Sequence, residues 1–310
     1  MSLKAVIELY ELLDDATVNG SIVQEWLQNH GVTQCKVTPV TGAKGTTDFI
    51  HALIPGKNGK SVGGTAPTLG VVGRLGGIGA RPTRVGFVSD GDGALSALAI
   101  ATKLGMMVKK GDQLEGDVIV TTQVCPHAPT RPHDPVPFMD SPITSDVCNQ
   151  YEIDPAMDAV ICIDTTKGNR IVNHRGIAIT PTVKDGWILR TSEDLLSIVE
   201  TTTGDFPYVL PLTTQDITPY GNGIYHLNSI LQPSVATTAP CIGVAITTVM
   251  RVAGCATGAT HPTDVEEAVR FGIEVAKEFT AGHCQFFDKE EYERLQKLYG
   301  SMSHLRTQGH

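Results

Sequence analysis

The chain predicts an α/β protein, a three-layer α/β/α arrangement about a mixed, mostly parallel sheet. Three observations carry that prediction. Short, almost wholly apolar runs such as GDVIVTT, DAVICID and CIGVAITTV read as strands buried on both faces. Segments of helical spacing fall between them, and such alternation favours parallel pairing with helices on both sides of the sheet. The composition, 41% hydrophobic and 18% charged over 310 residues, gives a core large enough to need no disulfide staples.

Taken in order, Ala5 to Leu13 carries apolar residues at helical spacing. Ser21 stands where it can cap a second helix, Ile22 to His30, that Gly31 stops. Strands are expected at CKVTPV, DFIHALI, TLGVV and RVGFV, with PGKNGK as a hairpin-type turn between two of them. GALSALAIATKL is rich in small residues and suits a helix packed closely on the sheet. SEDLLSIVETTT and NGIYHLNSIL read as further helices, and Thr263 to Glu266 reads as a capping box opening VEEAVRFGIEVAKEF. Residues 1–300 are expected to form one domain and residues 301–310 a flexible tail.

A net charge of -9 without a basic cluster argues against nucleic acid or an anionic membrane as partner, and no stretch reaches the length of a membrane span. A small-molecule or peptide ligand is expected instead. Seven cysteines without paired spacing fit reduced thiols, hence a cytoplasmic location, and the expected assembly is a homo-oligomer.

Ligands of such sheets collect beyond the carboxyl ends of the strands. RVGFV leads to Asp90 and Asp92, GDVIVTT to Cys125 and His127, and DAVICID to Asp164, so three expected strand ends bring acids or soft ligands to one edge. Asp92 alone is equally a helix cap. In GRLGGIGARP, Gly76, Gly77 and Gly79 let backbone amides approach a ligand, with Asp90 nearby and Arg74, Arg81 and Arg84 flanking. A carboxylate or phosphate suits that loop; the alternative is arginines that are solvated or pair with surface acids. GKNGKS is two residues short of a phosphate loop. Cys125 and His127 are candidates for nucleophile and base, although Pro126 interrupts the pleat between them. His51, His174 and His226 read as structural.

The succession "IELYELLDD", "DFIHALIPGKNG", "VSDGDGALSALAIATKL", "LEGDVIVTTQ", "AVICIDTT" and "HPTDVEEAV" resembles the co-catalytic zinc aminopeptidases, especially their glutamyl-aminopeptidase branch. The likeness runs to about residue 280 and is one of element order. It implies a zinc-exopeptidase-like (phosphorylase/hydrolase-like) fold and a hydrolase of small amides, peptides or amino-acid derivatives. Members of that superfamily hold two zinc ions about a bridging aspartate and use a glutamate as base. Asp92 matches the bridging aspartate and Asp164 a terminal ligand. Other positions depart: Arg74 and Gly76 stand where His-x-Asp is expected, Val124, Cys125, Pro126 and His127 where paired glutamates are expected, and Gly254 where a histidine is expected. The departures point to an uncharacterised family related to the superfamily. Two readings follow. In one, a single zinc or other divalent metal sits on Asp92, His127 and Asp164, with His133 and His261 as weaker candidates. In the other, the metal is lost and the cleft binds a small molecule without catalysis.

Overall fold

A computed structural model describes residues 2–74 and 76–309; Met1, Leu75 and His310, the last of them in the expected tail, lie outside that description. Helices α1 (Ser2–Asp14) and α2 (Gly20–Asn29) precede the hairpin strands β1 (Gln34–Gly42) and β2 (Gly45–Ile54). Then follow β3 (Leu69–Gly73), α3 (Asp92–Lys109), β4 (Val118–Val124), the short strands β5 (Thr130–Arg131) and β6 (Phe138–Met139), α4 (Ser145–Glu152) and β7 (Ala159–Thr165). The remainder comprises β8 (Gly176–Ile179), β9 (Val183–Lys184), β10 (Trp187–Ile188), α5 (Glu193–Thr203), β11 (Cys241–Thr247), α6 (Pro262–Thr280) and α7 (Lys289–Tyr299).

Nine strands form one mixed sheet in the order β1-β2-β4-β3-β7-β11-β9-β10, with β8 also pairing β11, while β5 and β6 pair only with each other. The four central strands, β4, β3, β7 and β11, run parallel. Both flanks are antiparallel. Pleating sends Leu69, Val71, Ile161, Ile163 and Val244 into the core beneath α1, α2, α3, α5 and α6. Val72, Val160, Cys162 and Ala245 point the other way, where Leu210, Ile217, Ile230 and Leu231 of the largely irregular segment 205–240 cover them together with α4. The sheet is thus covered on both faces, which is why its central strands read as continuous apolar runs. Among the described residues, no helix is long and apolar enough to cross a membrane.

Several expected elements take another form. RVGFV is not a sheet strand: it lies in the connection from β3 to α3, where only an isolated bridge joins Phe87 to Gly79. The hairpin turn lies between β1 and β2 at residues 42–45, whereas PGKNGK leads through a 3-10 turn (Lys60–Val62) to β3, which never pairs with β2. NGIYHLNSIL is irregular. There the Asp216 carboxylate accepts from the amides of Leu227 at 2.8 Å and Asn228 at 3.0 Å, and Gly221 and Gly223 take φ of 92° and 80°, so local bonds displace the helical ladder. α2 is capped by Asn19, which accepts from Ile22 N, and not by Ser21. α6 starts at Pro262 with His261 at its N-cap, leaving Thr263 inside the first turn without a capping box. In the tail, Ser303–Arg306 forms a 3-10 turn, and Arg306 pairs with Asp185 at 2.8 Å.

Close approach of α3 to β3 and β7 sets up the site. A Cβ at Gly93 would overlap the carbonyl oxygens of Arg74 and Ile163, so only glycine lets the helix start at the strand ends. Gly93→Ala should therefore destabilise the protein by about 3 kcal/mol. Urea unfolding checks this; a parent-like midpoint would mean the helix is not packed so tightly.

Candidate functional site

The carboxyl ends of β3 and β7 and the first turn of α3 meet at a buried group of acids. Asp90 is carried by the 3-10 turn Ser89–Gly91, which is bonded from Ser89 N to Ala256 O (3.3 Å) and from Asp90 N to Gly254 O (3.1 Å). Asp92 is the first residue of α3, and its Oδ1 accepts from the Thr260 hydroxyl at 2.7 Å. Asp164, near the end of β7, accepts from its neighbour Thr165 N at 2.7 Å and from the Ser229 hydroxyl at 3.1 Å. Thr165 in turn donates to Ser89 O at 2.7 Å, tying β7 to the 3-10 turn. The three acids are between 0% and 6% exposed.

One cation faces them. The Lys167 ammonium lies 3.6 Å from Asp92 Oδ2, with both side chains buried. Lys167 Nζ, Asp92 Oδ2, Asp90 Oδ2 and Ser89 Oγ are buried polar atoms without a hydrogen-bond partner among the described residues. Loop 165–175 is held over the edge by Thr166 N to Ile246 O (2.9 Å) and Gly168 N to the Thr248 hydroxyl (3.0 Å). Burial is the main cause that pushes the Asp90 carboxyl up to about 7, with Lys167 opposing and Asp92 reinforcing. Burial likewise raises Asp92 to about 6 against Lys167 and Thr260, and raises Asp164 to about 7 with help from Asp90. Lys167 beside Asp90 and Asp92, and Arg74 acting on Asp164, do not offset the burial of three carboxyls, so the group takes up protons near neutral pH. That poise equips it to donate and accept protons.

A second buried network lies beside the first. The Arg74 guanidinium, wholly buried, donates to Glu152 of α4 at 2.7 Å and to Asn149, while Gln123 reaches Glu152 at 3.4 Å. Its Nη1 has no partner among the described residues. Arg74 is therefore an interior ion pair, not an arginine on the rim of an open loop. Gly76, Gly77 and Gly79 are buried too, and Cβ atoms there would run into Gln123, Met139 and Pro126 respectively. Their close approach is to the protein's own chain. Arg81 donates to Asp14 O at 2.7 Å.

Of the other expected site residues, Cys125 packs with Ala80, Val88, Ala128, Met139 and Cys255, and burial pushes its thiol up to about 11, which favours the unreactive thiol. His127 is exposed, although its backbone forms a bridge to Ala80. His133 is exposed with its ring 5.8 Å from Phe138, and His261 caps α6 next to Thr260. Among the described residues, no group of three or more His, Cys, Asp or Glu side chains is arranged to hold a metal ion. The structure thus gathers Asp90, Asp92 and Asp164 and leaves His127 and His133 outside them. His226 bonds to Thr218 O at 2.9 Å, and His51 pairs with Asp154 at 2.9 Å.

Lys167, Ser229 and the Arg74 partners were not legible as site residues. Lys167 carries one faint signal, a lysine three residues beyond a strand-terminal aspartate. Gly254 has a clear reason: a Cβ there would lie 2.9 Å from the Asp90 carboxyl carbon, so no imidazole fits while Asp90 keeps its place.

The fold and these acids define an α/β protein with a buried acidic centre at the strand ends. The chain belongs to the family described as "Protein of unknown function (DUF1177)", whose model matches residues 38–309. No curated protein matches the chain.

The raised carboxyls set a pH dependence. Between about pH 4 and the folded-state values near 7, the folded chain binds more protons than the unfolded one, so these groups make stability fall as pH rises through that window. Asp164→Asn removes one such group. Its melting temperature relative to the parent should improve from about pH 4 to about pH 7 and then level off. A difference independent of pH would show Asp164 to be an ordinary solvated acid.

Proposed function

We propose that this protein is a hydrolase-like enzyme, related to the zinc aminopeptidases by the succession of its elements, that acts on a small amide, peptide or amino-acid derivative. One observation carries the reading: Asp90, Asp92 and Asp164 are buried at the same strand ends, with the Lys167 ammonium beside Asp92 and carboxyls poised near 6 to 7. Such groups are characteristic of sites that move protons.

The zinc pair that the resemblance implies does not fit the residues present. Asp92 Oδ2 faces an ammonium at 3.6 Å, Gly254 leaves no space for an imidazole, and the position of the first histidine holds Arg74, bound to Glu152. A zinc pair beside these fixed cations meets electrostatic repulsion. The protein's own groups suffice for an acid–base division. Asp92, kept ionised by Lys167 and Thr260, takes a proton from the attacking water. Lys167 polarises the substrate carbonyl, and Asp90 or Asp164 in its protonated form donates to the departing amine. A carbon–oxygen bond forms and the amide carbon–nitrogen bond breaks, giving a carboxylic acid and an amine.

A second reading, a non-catalytic small-molecule-binding protein, draws support from the near-complete burial of the acids. One experiment separates the readings: a panel of dipeptides, N-acyl amino acids and amino-acid amides assayed with chelator-treated protein purified without an affinity tag. The expected result is hydrolysis of a subset, reduced at least about 100-fold in Asp92→Asn and Lys167→Met with their folds intact. Turnover of no compound would favour the binding protein. Activity lost on chelation and restored by zinc would overturn the metal-free acid–base division.

A further inference from the structure

Three segments of the chain meet the buried acids, and each of them also presents apolar side chains to solvent. Loop 165–175 brings Lys167 to Asp92 and exposes Ile171. The loop that leaves β11 brings Gly254 O to the Asp90 amide and Thr260 to Asp92, and it exposes Val249 and Met250. Segment 205–240 brings Ser229 to Asp164 and exposes Phe206, Tyr208 and Tyr225. The first two leave adjacent parallel strands, β7 and β11, and are joined by Gly168 N to the Thr248 hydroxyl at 3.0 Å. The third is fixed to them where Tyr208 stacks on His174, with ring centroids 3.6 Å apart. These contacts gather all three along the carboxyl edge of the sheet.

These six side chains are between 51% and 86% exposed. The three aromatics alone leave on the order of 400 Å2 of surface in water. The three aliphatic side chains carry the edge past the few hundred Å2 that a soluble monomer commonly leaves bare, toward the roughly 800 Å2 that one partner buries in an ordinary interface. Elsewhere such residues stand apart, as Ile7 on α1 and Val62 in the turn before β3 do. A small amide or dipeptide covers only part of such an area, so its size calls for a protein partner. The charges on the edge select which one. Arg170 and Arg251 are exposed on two of the segments and Asp205 on the third. Contact about a two-fold axis sets each residue of one copy against a different residue of the other, so an apolar patch that carries both signs of charge complements itself.

We propose that a second copy of this chain seats on this edge, so that loop 165–175, the loop after β11 and segment 205–240 pack across a two-fold axis and the pair roofs the acidic centre. Such a dimer does not depend on hydrolysis, and an assay of mass reads no turnover, so the failure of either leaves the other standing. Sedimentation equilibrium of the full chain without a tag, between about 1 and about 100 μM, tests it. A dimer with a Kd of at most about 10 μM is expected. The melting temperature should rise with protein concentration, which tests the same point without any substitution. Phe206→Asp and Met250→Asp each carry a charge into the contact and should weaken association at least about tenfold. Both positions are open to solvent, so the far-ultraviolet circular dichroism of these variants should match that of the parent. Val62→Asp, a similarly exposed change away from the edge, should remain dimeric. A monomer at about 100 μM, parent-like association in either edge variant, or equal dissociation of Val62→Asp would overturn the assignment.

Discussion

Removing charge from water is the constraint on which this structure turns. Three carboxyls lie at the carboxyl edge of the sheet with one ammonium among them, 3.6 Å from Asp92. An isolated ion in such surroundings is very unfavourable, and a group so placed either finds a counter-charge or takes up a proton. Here both happen. Lys167 partly offsets Asp92, and burial moves all three acids toward neutral pH.

The fold is shaped around that arrangement. Parallel strands β3 and β7 end side by side, and Gly93 allows α3 to begin against them, so that Asp92 sits at a helix start where the helix dipole favours negative charge. Gly254 leaves the space that the Asp90 carboxyl fills. On the opposite face, Arg74 and Glu152 form a wholly buried pair that joins β3 to α4. Replacing one partner alone leaves an uncompensated charge inside, so this pair fixes α4 over the sheet even if its net contribution to stability is small.

Much of the architecture was legible because burial on both faces leaves an unmistakable apolar run, as in β4, β7 and β11, and because small residues announce α3. RVGFV was misleading, since a short apolar run is also what a buried connection looks like: Phe87 and Val88 are buried in the link from β3 to α3 without joining the sheet. NGIYHLNSIL failed for a related reason: its apolar spacing is helical, but Asp216, distant by eleven residues from Leu227, captures its backbone amides. At the site, Asp90, Asp92 and Asp164 could be found as acids at strand ends. Lys167 could not, because one lysine in a loop has no pattern, and only the chain's path brings it to Asp92. Arg74 was singled out as a ligand-binding residue, yet its partner Glu152 lies 78 residues away.

The protonation of the buried acids is the property that decides what this centre can do. Carbon-13 NMR titration of the aspartate carboxyls, in the parent and in Lys167→Met, measures it directly. Macroscopic titrations near 6 to 7 are expected for the group formed by Asp90, Asp92 and Asp164, moving higher when the ammonium is removed. If every aspartate titrates near ~4 in both proteins, as solvated acids do, the acids are neither buried together nor governed by Lys167.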